Sequence, residues 1–313
     1  GQRDDGRGRR SAHRVMNLVR PNFLNLDEEL SDPERSGVLV LPLPLDITAS
    51  WKRGTAEGPA AILTASHHIE FYDEELDLVP TELVGGIATH PTPELPADPA
   101  AAAAAIFELA APLVRPGRLL LSLGGEHAVT APLVRAHRAL WPAISVVQID
   151  AHADLRDNYM GSPHNHACPM RRIVEDGVHL TGIGIRSLDE PERRFIRGER
   201  SRLHLGHQVA GRLAELAGEI IDGVPPGPVY LTIDLDGFDP PVVPAVGTPV
   251  PGGLGWAETL TFIRRLCEAR TVVGADVVEL APRDGLHYAD AAAARLVHKI
   301  IGYVAVARRG SKG

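Results

Sequence analysis

Several things are scarce in this sequence, and each scarcity excludes a class of protein. Cysteine occurs twice in 313 residues, as Cys168 and Cys267. Two thiols cannot build a disulfide scaffold, so a reducing cytoplasm is the expected setting. No uninterrupted apolar run approaches the ~18 residues of a membrane-spanning helix, and no membrane partner is expected. Basic residues are outnumbered, 32 Lys and Arg against 40 Asp and Glu, for a formal charge of −8. A broad basic face for nucleic acid is therefore not expected. The acidic balance suits a small cationic substrate, although solubility alone also accounts for it. The opening stretch, residues 1–14, lacks the apolar core of a secretory signal. It is polar, glycine-rich and basic. We expect a disordered arm over residues 1–15 and one domain over 16–313. No internal repeat and no long linker interrupts that domain.

What the sequence does contain is a series of apolar, β-branched runs: 38–43 (VLVLPL), 119–123 (LLLSL), 145–150 (SVVQID), 230–236 (YLTIDLD) and 272–280 (VVGADVVEL). Near-continuous apolar strands are buried on both faces, which means a parallel sheet covered by helices. Alanine-rich helical patterns lie between them, over 99–113, 130–140 and 257–269, with a last helix over 289–306. The fold class expected is α/β, a three-layer sandwich. The Pro- and Gly-rich segment 240–255 reads as a long loop, a common place for function.

Ligands of open parallel sheets bind at the carboxyl ends of strands. Here those ends carry Gly-Gly-Glu-His (124–127), Asp-Ala-His-Ala-Asp (150–154), Asp-Leu-Asp-Gly-Phe-Asp (234–239) and Glu-Leu-Ala-Pro (279–282). On an extended backbone, a spacing of two puts Asp150, His152 and Asp154 on one face. Asp234 and Asp236 repeat the pattern. His127 follows a Gly-Gly turn, where the chain can bend sharply. Four carboxylates and two imidazoles are too many for one catalytic zinc. They suit two oxygen-preferring divalent ions bridged by shared carboxylates, and manganese fits such a donor set. Four buried aspartates without cations would repel one another prohibitively.

Other polar residues have plainer readings. Glu126 either orients an imidazole or is structural, with nothing to choose between the two. Asp239 reads as a turn cap, His164 as a loop histidine, and Arg156 and Asp157 as partners in local polar contacts. Cys168 reads as a small packed residue, since a binuclear site needs no thiol.

Three blocks, GGEHAVT (124–130), IDAHADLRD (149–157) and IDLDGFDPPVVPAVGTPVPGGL (233–254), resemble the signature blocks of the ureohydrolase family of arginases and agmatinases. The segment 50–72 (SWKRGTAEGPAAILTASHHIEFY) resembles the agmatinase amino-terminal block, and 165–177 and 182–187 also fit. The resemblance runs from about Phe23 to the last helix. One departure is Glu126, where many members have Asp; the charge is kept. The resemblance implies the arginase-like fold, with an eight-stranded parallel sheet. It implies that His127 and Asp154 hold one manganese, that His152 and Asp236 hold the other, and that Asp150 and Asp234 bridge both around a hydroxide. It further implies His166 as the acid/base histidine and Glu279 as the carboxylate that grips a guanidinium.

The expected function is hydrolysis of agmatine to putrescine and urea, with two Mn2+ per chain and a homo-oligomer, trimer or hexamer. Nickel is a second choice of metal. Arginase, guanidino-acid hydrolase and guanidine hydrolase remain alternatives, because the strand ends do not separate them. A catalytically dead binding homologue and a mononuclear zinc deacetylase are disfavoured by the full donor set. The loop 155–165 (LRDNYMGSPHN) resembles the agmatinase form. In it Asn158, Ser162 and Asn165 are candidate donors to an α-carboxylate, whereas Asp157, Asp189 and Glu190 are candidate partners of a substrate ammonium.

Overall fold

The apolar runs become strands. In the computed structural model, which describes residues 20–310, they are β1 (Val38–Leu43), β2 (Ile87–Thr89), β3 (Leu119–Gly124), β4 (Ser145–Ile149), β5 (His179–Ile185), β6 (Arg202–Leu205), β7 (Pro228–Asp234) and β8 (Thr271–Val278). The arm expected over 1–15 lies outside the described residues. The strands form one eight-stranded sheet in the order β2-β1-β3-β8-β7-β4-β5-β6, and every adjacent pair is parallel. The helices are α1 (Gly58–Ser66), α2 (Pro80–Leu83), α3 (Pro99–Ala110), α4 (Thr130–Arg138), α5 (Pro169–Glu175), α6 (Glu190–Arg197), α7 (Gly206–Val209), α8 (Leu213–Asp222), α9 (Trp256–Ala269) and α10 (His287–Gly310).

Alternate side chains of each strand enter different cores, as a period of two requires. Val38, Val40, Leu119, Leu121 and Leu231 join the apolar faces of α1, α8, α9 and α10. Leu39, Leu41, Leu120, Val146 and Tyr230 join those of α3, α4, α5 and α6. Burying one such aliphatic side chain stabilises by about 1.5–3 kcal/mol, so both faces of the sheet contribute and neither faces water. This is the three-layer α/β sandwich with an eight-stranded parallel sheet that the sequence implies. Two differences are local. The pattern over 99–113 is an α-helix to Ala110 followed by a single 3-10 turn, Ala111–Leu113, which carries Pro112. The run 230–236 starts earlier, at Pro228, and ends at Asp234, because Leu235–Gly237 turn into a 3-10 helix.

The four strand ends that carry polar groups belong to β3, β8, β7 and β4, and these are adjacent at the centre of the sheet. β3 and β4 are consecutive in the chain, yet β8 and β7 insert between them in the sheet. The topology therefore gathers four distant segments at one edge, where side chains leave the sheet together.

Candidate metal centre

His127 follows β3 through the Gly-Gly turn. Gly125 is required there by close approach: a Cβ would lie 2.0 Å from the carbonyl oxygen of Leu45. The turn carries the His127 ring to the middle of the edge. Its Nδ1 stands 3.1 Å from Asp150 Oδ2, 2.9 Å from Asp154 Oδ2 and 3.4 Å from Asp234 Oδ2. Asp150 presents its other oxygen to His152, 3.7 Å from Nδ1, while Asp236 Oδ2 lies 3.0 Å from the same nitrogen. Two groups of potential ligands result, His127–Asp150–Asp234 and Asp150–His152–Asp236, each with its donor atoms within 4.8 Å of one another. Asp150 belongs to both. The structure thus brings together all six residues singled out as ligands, and Asp234 stands with the His127 group.

The backbone is bent to do this. Asp154 has φ 53° and Glu279 φ 67°, left-handed conformations that side-chain-bearing residues seldom adopt and that cost on the order of 1–3 kcal/mol. The carbonyl of Asp154 accepts the N–H groups of Met170 and Arg171 at the start of α5, which holds the bend. Arg186 donates to the carbonyls of Gly184, Asp236, Gly237, Phe238 and Val250. It fastens the segment after Asp236, and the long loop, to the end of β5.

Whether cations fit can be judged from His127. Its Nε2 lies 2.9 Å from Thr232 Oγ1. The Thr232 hydroxyl proton is committed to Asp276 (2.6 Å), which also accepts Thr130 Oγ1–H and Tyr230 O–H at 2.8 Å each. Thr232 can then only accept from the ring, so the proton of the neutral imidazole sits on Nε2 and the lone pair on Nδ1. That nitrogen is buried and has no hydrogen-bond partner, and it faces three carboxylate oxygens. A lone pair directed at anions is unfavourable unless a cation lies between them. The titration tendencies agree. Burial, then Asp154 and Asp236, push the Asp150 carboxyl up. Burial, Asp236 and Asp150 push Asp234 up. Burial opposes charging of His127, but the carboxylates of Asp150, Asp154 and Asp234 around Nδ1 outweigh it, so that in the absence of cations a proton is drawn to that nitrogen and the ring is held well above the usual histidine range. The cluster collects protons where two divalent cations would supply the compensating charge, so the donor set fits a metal pair.

A cavity of about 200 Å³ opens onto this cluster, lined among others by His152, Asp154, His166, Asp234, Thr248 and Glu279. It adjoins a second space of about 160 Å³ between Arg156, Ser187, Leu188, Asp189 and Glu192. Glu279 Oε1 accepts the main-chain N–H of His127 at 2.7 Å. His166 faces Thr48 Oγ1 with Nδ1 (3.2 Å) and Ser50 Oγ with Nε2 (3.4 Å), and burial draws its pKa down. A larger cavity, about 470 Å³, lies at the opposite end of the sheet. Its Arg118, Arg270 and Arg308 donate to main-chain carbonyls, and it holds no comparable ligand cluster.

The remaining residues fall as follows. His164 is not in the lining of either cavity at the cluster. Asp239 closes the turn at Pro240 with its carbonyl, which accepts Val242 N–H at 2.7 Å, while its Oδ1 accepts from Gly252 and Gly253 and ties the two ends of the long loop together. Asp157 pairs with Arg172. Arg156 pairs with Asp189 at 3.0 Å and lies over the Tyr159 ring. Cys168 is buried, and its thiol is pushed up to about 11 by burial. Glu126 does not bond an imidazole. Its oxygens accept from Ile47 N, Thr48 N and Thr48 Oγ1. Glu190 pairs with Arg194. Asn158 and Ser162 accept main-chain N–H groups within their own loop, and Asn165 Nδ2 points to Thr48 O; none of the three lines the cavity. Sequence reasoning missed Thr48, Ser50, Thr232 and Asp276. A carboxylate inside the otherwise apolar run VVGADVVEL was the signal available for the last.

Comparison with known proteins gives a consistent picture. Residues 36–302 match the model of the Arginase family. The chain is 40% identical over 281 residues to an N(1)-aminopropylagmatine ureohydrolase of Synechocystis sp., covering 88% of this chain and 92% of that one. It is 35% identical over 285 residues to an agmatinase of Pyrococcus horikoshii, covering 90% and 97%. Among solved structures, the agmatine ureohydrolase of Thermoplasma volcanium superposes with a TM-score of 0.79 at 28% identity, covering 90% and 94%.

Proposed function

The chain belongs to the arginase family, and from that premise we propose that it is a binuclear-metal ureohydrolase of the agmatinase type, with residues 16–313 as its catalytic domain. The observation that carries the reading is the pair of ligand groups sharing Asp150. His127, Asp150, Asp154 and Asp234 would hold one cation, and Asp150, His152, Asp234 and Asp236 the other. The metal is manganese, on the strength of an oxygen-rich donor set with two imidazoles. Two such ions, when bound, neutralise the aspartates and lower the pKa of a water toward neutrality.

The chain's own residues do the rest. Glu279 faces the same cavity as the cluster, and its carboxylate pairs with the N–H groups of the guanidinium. Resonance makes the guanidinium carbon a poor electrophile, so orientation matters. Water oxygen adds to that carbon as one of its protons passes to neutral His166 and the other to solvent, the bond to the alkylamine nitrogen breaks, and His166 delivers the proton it has taken up to the departing nitrogen. The products are urea and a free amine.

The substrate we assign is agmatine, giving putrescine, a step of polyamine biosynthesis. An arginine α-carboxylate would enter a cavity lined by Asp154, Asp234 and Glu279. None of the three neutral candidates of the loop lines that cavity, and Arg156 already has Asp189. An unmet buried carboxylate should cost roughly 10²-fold in kcat/KM, about 2.7 kcal/mol. One observation favours a longer amine as a second reading: the adjoining space is lined in part by Asp189 and Glu192, where a distal ammonium would share Asp189 with Arg156, and several relatives are named for N(1)-aminopropylagmatine. A urea-release screen over agmatine, aminopropylagmatine, arginine, guanidinobutyrate, guanidinopropionate and guanidine, with manganese and with nickel, tests the assignment. Equal kcat/KM for agmatine and arginine would overturn the preference.

No described helix is long and apolar enough to cross a membrane. We place the enzyme in the cytoplasm as a homo-oligomer, which size-exclusion chromatography with light scattering checks.

A further inference from the structure

His166 stands at the end of a hydrogen-bond chain that begins at Glu126. The Glu126 carboxylate is buried, 1% exposed. Its Oε2 accepts the main-chain N–H groups of Ile47 (3.0 Å) and Thr48 (2.7 Å), and its Oε1 accepts Thr48 Oγ1–H at 2.9 Å. Three donors converge on two oxygens, so the Thr48 hydroxyl proton is committed to Glu126. Only the lone pairs of Oγ1 remain on its other side. One meets the main-chain N–H of His166 at 2.9 Å, and Nδ1 of the same residue lies 3.2 Å away. A hydroxyl whose proton is already used can only accept, so a neutral His166 ring places its proton on Nδ1. The lone pair then sits on Nε2, beside Ser50 Oγ at 3.4 Å, with the ring lining the cavity that holds Asp154, Asp234 and Glu279.

We infer that Glu126, acting through Thr48, sets the tautomer of His166, so that Nε2 is the nitrogen that exchanges protons in the reaction. Glu126 and Thr48 are positioning residues here, and the step they serve rests on the ureohydrolase reading above. The arrangement mirrors the one at His127, where Asp276 acts through Thr232. In both places a buried carboxylate directs a threonine hydroxyl, and the hydroxyl directs an imidazole. Burial pulls His166 down and Asp154 opposes it, while His152 and His127 add to the lowering.

Two substitutions separate this role from loop shape. Thr48→Val keeps the volume and the two main-chain bonds to Glu126, but removes the hydroxyl. Glu126→Gln keeps the shape and reverses the polarity. Its oxygen is needed by the N–H groups of Ile47 and Thr48, so its amide N–H2 faces Oγ1 and turns the hydroxyl proton toward Nδ1. Histidine-15N spectra of the protein loaded with zinc, a diamagnetic ion, read the tautomer directly, with the His166 signals assigned by their loss in His166→Asn. The expected result is Nδ1–H in the wild type and in Thr48→Ser, and Nε2–H in Glu126→Gln. In urea-release assays Thr48→Val should lose about 10–100-fold in kcat with KM within about twofold, and Thr48→Ser should recover most of the rate. An Nε2–H ring in the wild type, an unchanged tautomer in Glu126→Gln, or a wild-type kcat in Thr48→Val would overturn the inference. The spectra need no turnover. A wild type that released no urea would therefore sink the functional reading, while the tautomer assignment would still be decided by the spectra.

Discussion

The substitution Asp276→Asn should weaken metal binding although residue 276 touches no proposed ligand site directly. Asp276 accepts Thr232 on Oδ1, and Thr130 and Tyr230 on Oδ2. An asparagine side chain keeps one accepting oxygen. Placing its N–H2 at the Oδ2 position would disrupt two hydroxyl bonds, whereas the Oδ1 position disrupts one, so the amide should face Thr232. Thr232 then accepts from that amide and turns its own proton toward His127 Nε2, 2.9 Å away. The His127 proton moves to Nδ1, the nitrogen that faces Asp150, Asp154 and Asp234, and that nitrogen loses its lone pair for a cation. Losing such an orienting partner typically costs about 10–100-fold in metal affinity, or about 1.4–2.7 kcal/mol. The effect should fall on the ion at His127 and much less on the ion at His152. Calorimetric titration of Mn2+ into chelator-stripped protein, with near-UV dichroism to confirm native packing, reads both sites. A two-site isotherm that superposes on the wild type would refute the reasoning.

Other outcomes follow from the same geometry. His166→Ala should lose about 10²–10⁴ in rate with metal content unchanged, whereas His164→Ala should stay near normal; the reverse pattern in urea release would assign the proton carrier to His164. Buried His137 and His298 are both drawn down to about 4 by burial, against 6.5 when unfolded. Their contribution to stability is therefore complete above pH 6.5 and is lost as pH falls through 4, at roughly 3 kcal/mol for each ring. A His137→Leu chain has no ring to protonate there, so its melting temperature should fall less than the wild type's between pH 6.5 and 4.5. Parallel curves would show that His137 titrates normally.

How much of this was legible beforehand depended on burial and on distance along the chain. β1, β3, β4, β7 and β8 announce themselves because both their faces are covered, which forces continuous apolar runs. β2 and β6 do not, because they are edge strands of three and four residues, and β6 reads Arg-Leu-His-Leu with partly exposed side chains. Five of the six clustered residues were legible because they leave central strands at a spacing of two, and His127 because it follows the Gly-Gly turn at the end of β3. Thr48 and Ser50 were not. They follow β1, 78 positions from Glu126 and 118 from His166 in the case of Thr48, and hydroxyls carry no pattern of their own. Asp239 was read as a local cap because its neighbour is proline, and its carbonyl does close that turn, yet its side-chain partners are Gly252 and Gly253. Local sequence shows which residues can cap, and only the fold shows which N–H groups arrive.

The central claim is that two cations share Asp150 and that hydrolysis needs both. The most direct measurement titrates Mn2+ into chelator-stripped wild-type and Asp150→Ala protein while following bound metal and urea release from agmatine together. Asp150 is common to both ligand groups, and the strand end it occupies contributes little to either core. The wild type should bind two equivalents per chain, with urea release rising as the second is taken up. The Asp150→Ala chain should remain folded, fail to hold the pair tightly, and release no measurable urea. Two tightly bound ions in an active Asp150→Ala protein would contradict the account, as would full wild-type activity at a single equivalent.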